Sequence, residues 1–162
     1  MADDFPPECV TTYRVSRQIL AETASTLRAR SRGAIESVAL WQGQVASRDV
    51  AEVRHLVVPH QVAGPLHFNV PLDERLRLID VVSDAGHIIL AQIHTHPEDA
   101  FHSAVDDRLA IPQHVGGISI VVARFAVDWD GDLEKTSVNR HLGSGRWEEL
   151  TVAAVRQLFV VT

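Results

Sequence analysis

Cysteine is almost absent from this chain. Cys9 stands alone among 162 residues, which excludes an intramolecular disulfide and any zinc site built from several thiolates. Positive charge is also short: 15 Lys and Arg face 21 Asp and Glu, for a net charge of −6 with neutral His. That balance speaks against a nucleic-acid binder or a basic membrane-surface protein, whose affinity comes from clustered cations. Long apolar runs are missing too. The stretch Ile118–Val127 is interrupted by Arg124 and falls short of the ~20 residues that span a bilayer. The opening MADDFPPECV has no basic–apolar–small pattern of a secretory signal, so a reduced cytoplasmic compartment is expected. No GxGxxG, Walker loop, GxSxG elbow or HExxH occurs, and a nucleophilic hydrolase has little support.

What remains is an ordinary soluble composition, 46 % apolar and 22 % charged, long enough for one domain with its own core. Residues 1–12, with their Pro-Pro pair, read as a loose arm, and 13–162 as the domain. Helical periodicity marks 16–30 through Leu20, Ala24 and Leu27, then 72–85 through Leu72, Leu76 and Ile79. A short helix is expected over 103–111 and a last one from Thr151 to about Leu158. Strands are expected at 35–41, 53–58, 87–94, 117–127 and 135–142. Between them, 60–71 reads as a polar loop. Without the regular alternation of a doubly wound fold, an α+β domain with a mixed sheet flanked by helices is the expected architecture.

The one unusual count is nine histidines, and their placement matters more than their number. His94 and His96 end a predicted strand in AQIHTHPEDAFHSAVDD. Residues two apart on a strand project to one face, so the pair forms a natural clamp for a metal that binds imidazole nitrogen. Ser103-Ala-Val-Asp106 follows closely. It reads as a capping box at a helix start, and a helix opening there also aims Asp106 back at the clamp. Two imidazoles and one carboxylate leave a fourth position open, as in a catalytic zinc site. Metal-assisted hydrolysis then needs a carboxylate to take a proton from water and hand it to the leaving amine. Glu36, an acid ahead of the apolar run SVALW, is the candidate. His102, beside Ser103, is a weaker candidate for contact with substrate, and His60 and His67, in the polar loop, are weaker candidates for a second metal. Trp41, Trp129 and Trp147 read as packing aromatics.

Glu36 with Leu40 and Gly43 (ExxxLxxG), then HTHP, then SxxD, together resemble the JAMM signature of the MPN/JAB metalloprotease family, closest to its prokaryotic JAB members, over roughly residues 16–127. The resemblance implies His94, His96 and Asp106 as zinc ligands, Glu36 as general acid–base and Ser103 as the hydroxyl that stabilises the oxyanion. One departure stands out: five residues separate Pro97 from Ser103, where the common motif has six. Counting from His96 would make Asp107 the third ligand; keeping the Ser–Asp spacing keeps Asp106. The implied activity is a zinc-dependent isopeptidase or peptidase that cuts after the glycine tail of a ubiquitin-like protein. Its expected setting is a bacterial conjugation system with activating and conjugating enzymes as partners. Maturation of a ubiquitin-like sulfur carrier and a catalytically silent MPN scaffold are the alternatives that the resemblance leaves.

Overall fold

The computed structural model describes residues 6–162. Its elements, in chain order, are β1 (Thr12–Val15), α1 (Arg17–Ser31), β2 (Val38–Ser47), β3 (Val50–Val57), β4 (Val62–Gly64), β5 (His67–Asn69), α2 (Leu72–Asp84), β6 (Ile88–Thr95), α3 (Ala104–Leu109), β7 (Ile118–Val122), β8 (Ser137–Gly143), β9 (Arg146–Glu149), α4 (Val152–Leu158) and β10 (Phe159–Val161). Eight strands form one sheet in the order β10-β1-β3-β2-β6-β7-β8-β9, and β4 and β5 form a separate hairpin. The sheet is mixed. β6 runs parallel to β7, and β1 runs parallel to both β3 and β10, while the other neighbours are antiparallel.

The period-two alternation of β2 sorts the core into two layers. Ala39 and Trp41 join Ile19, Leu20, Ala24 and Leu27 of α1 and Val155 and Leu158 of α4 on one face. Val38 and Leu40 pack on the other face with Phe68, Val70, Leu78, Val82 and Ile89, beneath α2 and the hairpin. Helix α1 starts where Ser16 accepts a hydrogen bond from the Ile19 N–H at 3.1 Å and stops at Arg32, whose φ is 49°. Its polar residues on the buried face are satisfied as well: Trp41 Nε1 donates to Thr23 Oγ1 at 2.9 Å.

Several elements depart from the sequence expectation. The expected loose arm covers residues 1–12; its first five lie outside the described residues. From Pro7 onward the arm makes a 3-10 turn, Val10 is wholly buried and Thr12 already belongs to β1. The loop 60–71 contains the hairpin β4–β5. The strand expected over 117–127 ends at Val122. Arg124, Phe125 and Ala126 then take φ of 50°, 53° and 59°, a left-handed stretch that L-residues resist by roughly 1–2 kcal/mol each. It is held from the outside, as the Phe125 N–H donates to His96 O at 2.8 Å and the Arg124 N–H to Glu98 O at 3.0 Å. The strain therefore supports the segment that follows β6.

Strand β2 continues through Gly43 because the pairing with β3 shifts register between Gln42 and Gly43. A Cβ at Gly43 would lie 1.9 Å from the Glu52 carbonyl oxygen. The glycine of the ExxxLxxG pattern is thus a close-approach position of two backbones. Gly43→Ala is expected to destabilise the fold by about 1–3 kcal/mol, read as a lowered urea midpoint; an unchanged midpoint would show that the bulge relaxes freely.

Candidate metal centre

His94 and His96 project from the C-terminal end of β6 to the face that carries the hairpin. His94 is opposite Val38 in the β2–β6 register, and its ring lies 5.1 Å from that of Phe68. The backbone of His96 is anchored by its N–H to Val122 O at 2.9 Å. Asp106 reaches the same spot from the first turn of α3. His94 Nε2 is 3.3 Å from Asp106 Oδ1, and His96 Nε2 is 3.4 Å from Oδ2. One ligand atom from each of the three side chains falls within 4.8 Å of the others, and all three residues are buried.

The capping box and the ligand set use the same residues. Ser103 Oγ accepts from the Asp106 N–H at 3.2 Å, and Asp106 Oδ2 accepts from the Ser103 N–H at 2.7 Å. Asp107 points elsewhere, with Oδ1 2.7 Å from His102 Nδ1. The three-residue spacing from Ser103 therefore decides which aspartate faces the histidines.

Whether a cation suits this spot can be judged from His94. Its side chain is fully buried, and neither ring nitrogen has a hydrogen-bond partner among the described residues. Burial lowers its basicity and keeps the ring neutral, as a ligand must be. At Asp106 burial alone would raise the carboxyl. The facing His94 and His96, with the Ser103 N–H, outweigh it and hold the group well below the usual carboxylate range. Neutral imidazoles and an ionised carboxylate converge on one point. A tetrahedral cation bound at ~2.0–2.2 Å has ligand–ligand edges of about 3.3–3.6 Å; His94 stands at that distance from Oδ1 and His96 from Oδ2, and one ligand atom from each residue falls within 4.8 Å of the others. The residues fit a metal ion.

Glu36 precedes β2 instead of opening it, and a cluster of hydroxyls sets its position. Ser37 Oγ is 2.7 Å from Ser31 Oγ, Ser31 Oγ is 3.1 Å from Thr95 Oγ1, and the Ser37 N–H donates to Thr95 Oγ1 at 3.0 Å. On its other side the Glu36 N–H donates to Gly64 O of the hairpin at 2.9 Å. Its carboxyl is pushed up to about 7 by burial and by Asp106, against the pull of His96. Glu36, His96, Ser103 and Asp106 line one cavity of about 530 Å³, with Phe68 and Phe101 among its apolar walls.

The weaker candidates separate. His67 lines the cavity, whereas His60 offers its backbone N–H to Glu74 at 2.9 Å. His102 is bonded at both ring nitrogens, to Asp107 and to Ser119 Oγ at 2.9 Å. Trp41 and Trp129 are core residues, but Trp147 is half-buried, stacks on His102 at 4.9 Å and donates to Asp107 O at 3.3 Å. Sequence reasoning missed Gln92 and Ser119 and weighed Asp107 only as a metal ligand; all three link to His102 behind the site. Polar residues inside the apolar strands IILAQI and ISIVV were the available signal.

The chain matches no family model. It is 28 % identical over 159 residues to "Probable metalloprotease y4jG" of Sinorhizobium fredii, covering 96 % of this chain and 97 % of that protein. The solution structure of protein DSY2949 from Desulfitobacterium hafniense superposes with a TM-score of 0.62 at 17 % identity, over 93 % of each chain. AF2198, a JAB1/MPN domain protein from Archaeoglobus fulgidus, superposes with a TM-score of 0.50 at 17 % identity, over 92 % of this chain and 98 % of that one. The chain has the JAB1/MPN fold.

Two outcomes are expected. Purified protein should carry about one divalent ion per chain, lost in His94→Ala and His96→Ala, because two remaining ligands bind weakly. Asp106→Ala should lower the metal content by elemental analysis more than Asp107→Ala, and the reverse order would move the third ligand. The second outcome concerns Glu36 in metal-free protein. Between pH 4.5 and about 7 the folded carboxyl holds a proton that the unfolded one releases, so stability falls as pH rises through that window. In EDTA at pH 8, Glu36→Gln should exceed the parent by of order 1 kcal/mol in urea unfolding, with the gain fading toward pH 4.5. Equal stability at both ends of the window would mean that the carboxylate is charged at no cost.

Proposed function

We propose that this protein is a zinc-dependent metallopeptidase of the JAMM type, and that it cuts after the glycine-ending tail of a ubiquitin-like protein. The observation that carries the metallopeptidase reading is the convergence of His94, His96 and Asp106, with one ligand atom each within 4.8 Å of the others, beside Glu36 and a cavity of about 530 Å³. The near full-length relative in Sinorhizobium fredii, named a probable metalloprotease, and the JAB1/MPN fold support it. Two imidazole nitrogens and one carboxylate favour zinc over cations that want six or more oxygens.

Zinc held by His94, His96 and Asp106 supplies a Lewis acid that polarises the scissile carbonyl and acidifies water. The remaining chemistry belongs to the chain. Glu36 lines the same cavity as His96 and Asp106, where it can take a proton from water and return it to the leaving amine. Ser103 spends its oxygen on accepting from the Asp106 N–H, which leaves its O–H free to donate where negative charge develops.

A polypeptide substrate suits the rim of the cavity. Leu66 of the hairpin turn is 78 % exposed and Phe101 of the 98–102 segment 54 %, and both border the cavity. An extended tail passing between them brings its backbone against the metal, and a glycine before the cut avoids a Cβ there. Activating and conjugating enzymes of the same system are the partners that this reading implies. Trimming of a ubiquitin-like sulfur carrier uses the same groove, and neighbouring genes for sulfur transfer would favour it. A silent scaffold has no use for the complete set of Glu36, His94, His96, Ser103 and Asp106.

Glu36→Gln keeps the size of the side chain and removes the base. Turnover of a ubiquitin-like conjugate should fall roughly 10²–10⁴-fold while zinc content and substrate affinity stay near the parent's. Full activity would place the base elsewhere, and a parent that binds the tail without cleaving it would leave the scaffold reading. Changing the residue before the scissile bond from Gly to Leu should slow cleavage by roughly tenfold or more. An undiminished rate would rule out this groove.

A further inference from the structure

Helix α3 carries both Ser103, its cap, and Asp106, yet little holds it by packing. It has six residues and buries only Asp106, while Val105 is 49 % exposed. A helix this short has no stability of its own. Packing begins just past its end, where Ala110 is buried and Ile111 lies against the second core layer. Beyond the Trp147 bond to Asp107 O, its polar attachments to the sheet run through one directional chain. The Ile111 N–H donates to Gln92 Oε1 at 3.0 Å, which fixes the Gln92 amide so that Nε2 donates to Ser119 Oγ at 3.2 Å. Gln92 and Ser119 are register partners on β6 and β7. The direction is set from the other end: Asp107 Oδ1 lies 2.7 Å from His102 Nδ1, and since a carboxylate only accepts, Nδ1 bears the ring proton. Burial disfavours a second proton on the ring, so Nε2 accepts the Ser119 hydroxyl hydrogen at 2.9 Å.

The set Asp107–His102–Ser119 has the connectivity of a serine-hydrolase triad, but Ser119 is wholly buried within β7 and no substrate reaches its oxygen. Its purpose has to be sought in what it holds. Both ends of α3 are tied to the two central strands, Asp107 near its start and Ile111 past its end. The side chain of His102, 4 % exposed, is clamped between Asp107 and Ser119 with Trp147 against its ring.

Building on the metal-site reading above, we propose that His102 is a positioning residue: bonded at both ring nitrogens, it locks α3 onto β6 and β7 so that the Asp106 carboxylate stands preplaced opposite His94 and His96. Groups that orient ligands in this way are worth ~10–100-fold in metal affinity.

Cobalt(II) is the probe, because its visible spectrum reports coordination geometry as well as occupancy. His102→Ala should fold by circular dichroism, bind Co²⁺ about 10–100-fold more weakly by chelator competition, and lose intensity in the tetrahedral absorption band. Asp107→Ala should follow it, and Asp107→Asn, whose amide oxygen still accepts from Nδ1–H, should recover most of the loss. That rescue is one that a general loss of stability would not produce. The His102→Ala/Asp107→Ala double variant should be no worse than His102→Ala alone, because removing the ring already removes its bond to Asp107. If His102→Ala fails to fold, the contrast between Asp107→Asn and Asp107→Ala decides alone, and equal affinities for those two overturn the proposal. Parental affinity and spectrum in a folded His102→Ala also overturn it. A parent that binds no Co²⁺ removes the metal site itself, and this inference with it.

Discussion

A buried imidazole with neither nitrogen bonded carries a cost of about 1–3 kcal/mol for each bond left unmade, and among the described residues His94 finds no such bond, on β6 with β2 and β7 on either side. The surrounding chain is organised around that vacancy of partners. Phe68 closes the hydrophobic side, Asp106 is brought to 3.3 Å on the polar side, and His96 follows two residues on at the mouth. A carboxylate and two neutral rings facing one another are of little use to a fold by themselves. They become favourable once a cation stands among them, so metal binding and the local order of α3 are coupled quantities.

The second organising element is the junction of Ser31, Ser37 and Thr95. Three hydroxyls, each too small to reach far, tie the last turn of α1 to the start of β2 and the end of β6. That junction lies on the opposite face of the sheet from the imidazoles, because Thr95 falls between His94 and His96 in the strand alternation. Glu36 is thereby carried to the cavity by backbone on one side and by the hairpin carbonyl of Gly64 on the other. The acid–base candidate and the ligand set arrive on different elements, and the sheet gives them a common frame.

Much of this was legible in the sequence because the ligands lie close together in the chain. HTHP at a strand end and SxxD at a helix start each rest on a local periodicity, and the structure brings His94, His96 and Asp106 together as those periodicities imply. Helices α1 and α4 follow their apolar residues and caps within a residue or two; α2 has close to the expected bounds, but Leu72, Leu76 and Ile79 face solvent and Leu78 and Val82 are buried in their place. The unread parts are those whose cause lies far away. β1 and β10 have four and three residues, too few to show a period, and form through pairing with strands distant in sequence, β1 with β3 and β10 with β1. The left-handed turn at 124–126 answers to carbonyls of His96 and Glu98, nearly thirty positions earlier. The chain through His102 was hidden because a serine in β7 and a glutamine in β6 acquire meaning only when those strands become neighbours.

The pairing of β1 with β10 has a consequence of its own. Tyr13 lies opposite Phe159, and the Thr162 N–H donates back to Val15 O at 3.0 Å. Strand β10 thus ends the sheet four strands away from β6, or roughly 19 Å at the usual strand spacing. Local opening there leaves the cavity undisturbed, so the backbone amides of β10 are expected to exchange with solvent well before those of β6.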